Sequence, residues 1–166
     1  MSYPAPRYHG EAGEASATFR PAGAEPDLRR RDGGAVHYLA RGAATGGGFG
    51  LYRWDFGPAV TGPDPHFHRT MSESFFILSG TVRIHDGRGW RDTGPGDFVH
   101  VPPGGVHGFR NESGAEASML LLFAPGAPRE EYFEQLVELA GGTRTMTDDE
   151  RRAFSLRHDN HWIDPS

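Results

Sequence analysis

Pro65-His66-Phe67-His68-Arg69-Thr70-Met71-Ser72-Glu73 is answered, some forty residues on, by Pro102-Pro103-Gly104-Gly105-Val106-His107-Gly108-Phe109-Arg110-Asn111. Side chains in an extended strand alternate faces, so His66 and His68 point one way and Phe67 the other. Glu73, on the next strand after a short turn, adds a carboxylate. His107, on a distant strand, adds a third imidazole. Three nitrogens and one anionic oxygen suit one divalent first-row transition metal: iron, nickel, cobalt, manganese, copper or zinc. Magnesium and calcium prefer shells made wholly of oxygen. A lone strand histidine is usually an ordinary surface or core residue. It is the spacing of these four that makes them candidate metal ligands.

His66, His68, Glu73 and Gly80 stand in the order H-x-H-x4-E-x6-G. Gly96, Pro102, Gly104, His107 and Asn111 stand in the order G-x5-P-x-G-x2-H-x3-N. Together they resemble the two signature motifs of the cupin superfamily, over roughly residues 35 to 125. The second matches at every position. The first departs upstream, where a glycine is expected six residues before His66; Val60 stands there, with Gly62 nearby. No ligand position is touched by that departure.

Length and composition agree with one barrel. The 166 residues fit a single domain with its own core, and 24 glycines and 13 prolines suit short strands joined by tight turns. Cysteine is absent, and all 17 basic residues are arginine. Thiolate nucleophiles, thiolate ligands and lysine Schiff bases are therefore excluded. A net charge of −5 argues against a nucleic-acid partner. Arg29-Arg30-Arg31, the one basic run, reads as a solvated linker. Without an apolar leader or a membrane-length apolar window, a cytoplasmic protein with no membrane partner is expected.

Three regions follow. Residues 1–32 are poor in apolar side chains and read as an extended arm, anchored if at all by Phe19 and Leu28. Residues 33–125 carry the strands: Val36 to Leu39, Phe49 to Trp54, Ser74 to Leu78, Thr81 to His85, Trp90 to Thr93, Phe98 to Val101 and Ser118 to Phe123. The last of these is apolar without alternation, as a strand covered on both faces would be. Residues 126–166 read as a helical extension. One helix begins near Pro128, and its apolar stripe of Tyr132, Phe133, Leu136 and Val137 is assigned to packing. A second begins at the Thr147–Glu150 capping box and ends near Leu156. His158, His161 and Trp162 are expected in a solvated tail. The fold class is thus mainly β: an antiparallel double-sheet jelly-roll barrel with two short C-terminal helices.

Such a barrel is open at one mouth and leaves coordination positions free for small molecules. By strand parity Phe75, Ile77 and Phe109 line the pocket beside the ligands. The arrangement also resembles small cupins of the quercetinase-like group. That similarity implies a metal-dependent dioxygenase of secondary metabolism, acting on an aromatic, enolic or polyketide-like small molecule with O2. Glu73 would then be both ligand and catalytic base. Two alternatives remain open: a redox-neutral cyclase or isomerase using the ion as Lewis acid, and a non-catalytic barrel that binds a small ligand. A homodimer is expected from the arm, the helix and the apolar strand.

Overall fold

Period-two alternation decides the barrel wall. In the computed structural model, which describes residues 2–163, eleven strands and two helices follow one another. They are β1 (Leu28–Arg29), β2 (Ala35–Ala40), β3 (Gly50–Phe56), β4 (His66–Phe67), β5 (Ser72–Ser79), β6 (Val82–His85) and β7 (Trp90–Thr93). Then come β8 (Phe98–Val101), β9 (Gly108–Arg110), β10 (Ala117–Ala124), α1 (Arg129–Ala140), α2 (Asp148–Arg157) and β11 (His161–Trp162). A six-stranded sheet runs β1-β2-β3-β10-β5-β8, a three-stranded one β7-β6-β9, and β11 pairs with β4; every pairing is antiparallel. The inner residues Tyr38, Tyr52, Trp54, Phe75, Ile77, Met119, Leu121 and Phe123 are all buried. This is the expected jelly roll.

Strand β10 corrects one reading. Its apolar run does alternate, with Met119, Leu121 and Phe123 buried and Leu120 and Leu122 only half-buried. It looks uniform because its outer neighbours are apolar too: Leu120 pairs with Phe76, and Leu122 with Leu51.

The glycine sought at position 60 is needed at 62. Val60 is exposed, whereas Gly62 has φ 148° and a Cβ there would sit 1.8 Å from the Phe109 carbonyl oxygen. This close approach lets Thr61 bridge to Asn111. Asn111 is fully buried and donates from Nδ2 to the carbonyls of Gly57 (3.0 Å) and Ala115 (2.6 Å), tying the loop before the histidines to the loop after β9. It therefore serves the turn rather than the ligand set.

The arm is shorter than 1–32. Residues 2–19 are exposed, Phe19 among them, but Leu28 packs on the core and β1 joins the sheet edge. The basic run is not solvated throughout. Arg30 is ion-paired with Asp32 and lies 4.9 Å above the Trp54 ring. A guanidinium beside an aromatic face gains cation–π attraction, so sequence charge alone misplaces it outside.

Helix α1 starts after Pro128, as expected, and α2 is closed by reciprocal bonds between Thr147 and Glu150. Phe133 seats α1 on the barrel through edge contacts with Tyr52 and Trp54, both at 5.3 Å between ring centres. Such pairs contribute about 0.5–1.5 kcal/mol each beyond area burial.

Candidate metal centre

The barrel brings His66, His68, Glu73 and His107 together. One donor atom from each lies within 4.8 Å of all the others, and the four residues are at most 3% exposed. His66 and His107 are bridged by reciprocal backbone bonds of 2.8 Å, so the two motifs meet strand to strand.

Each imidazole is oriented by its far nitrogen. Nδ1 of His66 donates to the Asp64 carbonyl (2.8 Å), that of His107 to Gly105 (2.9 Å) and that of His68 to Asp159 (2.7 Å). A carbonyl only accepts, so all three Nδ1 atoms carry hydrogen, and with an ion bound each ring offers its Nε2 lone pair inward; without one, Nε2 of His107 and His68 can instead donate to Glu73 Oε2. Nε2 of His68 and His107 lie 3.1 and 2.8 Å from Glu73 Oε2. Converging lone pairs and a carboxylate in a dry site are costly without a cation among them. A first-row ion with bonds of about 2.0–2.2 Å fits this donor set.

Burial, reinforced by the like charge of His107, pushes His66 from 6.5 down to about 3. Burial alone would raise Glu73, but hydrogen bonds from His107 and His68 outweigh it and hold the carboxyl below its ordinary range. Burial likewise disfavours a charged His107, yet the Glu73 carboxylate wins and raises it. The folded state thus binds His66 and Glu73 protons less readily than the unfolded chain, and stability falls as pH falls through their window. His107 works in the opposite direction. We expect the thermal midpoint of metal-free protein to drop steadily from pH 6.5 towards 3, the His66 interval. A midpoint that is flat or rises on acidification, followed by calorimetry, contradicts this picture.

Above the cluster lies a cavity of about 640 Å³. Glu73 and His66 are on its wall, with Trp54, Phe109, Leu121 and Phe123 from the barrel. Tyr132, Phe133, Leu136 and Val137 of α1 close one side. The helix stripe assigned to packing is therefore also cavity wall. Of the three pocket residues predicted by parity, Phe109 lines the cavity. Phe75 and Ile77 do not: they are 0% and 1% exposed and fill the core. Parity gave their inward direction correctly, but not their depth along the barrel.

The tail is only partly solvated: His158 and His161 are half-buried, and Trp162 is 43% exposed yet docked. Trp162 packs against the His66 ring at 5.1 Å and, with Asn160, lines the cavity. His158 and His161 stay outside the donor set. Sequence reading also missed Arg129, which is buried on the cavity wall. A cation at the first residue of a helix opposes the helix dipole, and that misplacement is the signal that could have marked it.

Residues 52–123 match the family model described as Cupin_2, cupin domain. That stretch is similar to cupin domains. The match runs from β3 to β10 and holds all four clustered residues; α1, α2 and β11 lie outside it. Among solved structures, a predicted oxalate decarboxylase from Thermotoga maritima is similar at TM-score 0.56 and 19% identity, over 66% of this chain and 99% of that one. The protein TT1209 from Thermus thermophilus is similar at 0.51 and 22%, over 59% and 89%. A sugar phosphate isomerase of the cupin superfamily from Silicibacter pomeroyi gives 0.48 and 28%, over 56% of this chain and 60% of that one. The first two likenesses bear on the fold alone. No curated protein matches the chain. Among the described residues, no helix is long and apolar enough to cross a membrane.

Proposed function

We propose that this chain is a metal-dependent enzyme acting on an aromatic, enolic or polyketide-like small molecule, with a dioxygenase reaction using O2 as the favoured chemistry. The observation that carries the reading is the buried His66–His68–Glu73–His107 cluster at the wall of an aromatic cavity. A divalent first-row ion held by those four side chains supplies a Lewis-acid centre with positions open to small molecules.

The chain's own groups supply the rest. Trp54, Phe109, Phe123 and Phe133 offer faces against which a planar ring can lie, and Trp162 shields His66 from water. Glu73 uses Oε2 towards the imidazoles, while among the described residues its Oε1 makes no hydrogen bond. That oxygen can take a substrate proton. A carboxylate held below its usual pKa is a weak base, so it suits a hydroxyl that is itself acidic, an enol or a phenol.

Oxygen uptake by metal-loaded protein, recorded while flavonols and polyketide-like phenols are screened, tests the reading. Glu73→Gln should lower turnover by about 10²–10⁴-fold, the range of general acid–base catalysis, with most of the metal retained. Full turnover in that variant removes the base role. Product formed without oxygen moves the assignment to a redox-neutral cyclase or isomerase, and no turnover with any ion leaves a binding barrel.

A further inference from the structure

Arg129 is the one cation on the cavity wall that is both buried and without a carboxylate among the described residues. It is 4% exposed. Nη1 donates to the His158 carbonyl (2.7 Å) and to Asn160 Oδ1 (3.1 Å), both neutral. Nε is buried and makes no hydrogen bond. Three aromatic rings hold the group, with the guanidinium carbon 4.3 Å from the centre of Tyr132, 5.0 Å from Phe123 and 5.6 Å from Phe133. Burial accordingly lowers its pKa.

The acids of the cavity are committed elsewhere. Asp32 pairs with Arg30, Asp64 faces Arg110 at 3.7 Å, and Glu73 is taken by two histidines. Glu130, beside Arg129 in sequence, accepts from the Tyr52 hydroxyl (2.7 Å). A desolvated guanidinium lacking an anion is costly, whereas one that meets a carboxylate forms a charge-assisted, two-pronged pair. Other unsatisfied donors share the wall: Trp54 Nε1 and Arg30 Nη1 are buried and unpartnered. The cavity is therefore apolar in its faces and rich in donors at its edges.

We infer that the natural substrate carries a carboxylate that pairs with Arg129 while its enolic or phenolic end meets the His66–His68–Glu73–His107 cluster. The Phe123 ring neighbours both ends, lying 5.0 Å from the guanidinium carbon and 6.2 Å from the His68 ring centre, so the two ends face the same aromatic side chain. The inference rests on reading the cavity as a substrate site, but it concerns recognition, not reaction type.

Binding of matched probes tests it without turnover. The carboxylate 3-(4-hydroxyphenyl)propanoate and its neutral amide are titrated into metal-loaded protein, followed by calorimetry and by the fluorescence of Trp54 and Trp162. The carboxylate should bind about ten- to a hundredfold tighter, the range of a charge-assisted bond. Arg129→Gln should abolish that preference with amide affinity nearly unchanged, and Arg129→Lys should keep a reduced part of it. The lysine variant serves if the glutamine variant fails to fold. Equal affinities in wild type overturn the inference. So does a preference that survives Arg129→Gln and vanishes on chelation, since the carboxylate would then sit on the metal. Carboxylate selectivity without oxygen uptake refutes only the dioxygenase reading; uptake with neutral and acidic substrates alike refutes only this inference.

Discussion

Alanine in place of His107 should leave less than a tenth of the wild-type metal content. Its Nε2 lies 2.8 Å from Glu73 Oε2, and its Nδ1 is fixed on Gly105. Losing the side chain removes one of four donors and also the group that contributes most to holding Glu73 ionised. Outer partners of metal ligands are typically worth about 10–100-fold in affinity, and removal of a ligand itself should exceed that. The backbone bonds between His66 and His107 do not depend on the ring, so the barrel should survive. An ion present at a hundred times its dissociation constant stabilises a fold by about 2.7 kcal/mol. For a chain of this size that is roughly 5–10 °C in thermal midpoint. Wild type should show this rise on metal addition and His107→Ala should not. A variant that keeps both ion and rise would remove His107 from the centre.

Asp159→Ala should weaken the same centre from outside. The Asp159 carbonyl holds His68 Nδ1, and its carboxylate accepts from the amides of Arg69 (3.0 Å) and Thr70 (2.8 Å) and from Thr70 Oγ1 (2.7 Å). It thereby clamps the loop linking His68 to Glu73. Asp159 also has φ 57°, a left-handed conformation that Asp tolerates better than Ala. Loss of the clamp should lower metal affinity about 10–100-fold. Charge-assisted bonds of about 1.5–3 kcal/mol each make a net loss of ~2–4 kcal/mol reasonable, or roughly 5–15 °C. Asp159→Asn, which keeps an acceptor and the backbone preference, should lose much less. Unchanged affinity and midpoint in Asp159→Ala would show that the tail merely lies near the site.

These two positions mark what the sequence makes legible. His107 belongs to a spaced motif with chemistry in its residue types, and Gly104 and Asn111 beside it could be read with it. Strands β7 and β8 and the Thr147 cap were legible because alternation and capping are local rules. Asp159 lies 91 residues from its partner His68, and no local rule joins a C-terminal tail to a strand of the barrel. Phe75 and Ile77 failed for a related reason: parity tells a residue's face, while its height along the barrel depends on register with β10 and β8. Arg30 and Trp162 likewise enter the cavity only through long-range packing.

The measurement closest to the central claim is elemental analysis of the purified protein, as isolated and after stripping and reloading with each first-row ion. About one ion per chain is expected in wild type, and its loss in both His66→Ala and His107→Ala. Wild-type protein that binds no ion under any loading condition, or variants that retain it in full, would contradict the assignment of the buried histidine–glutamate cluster as a metal centre.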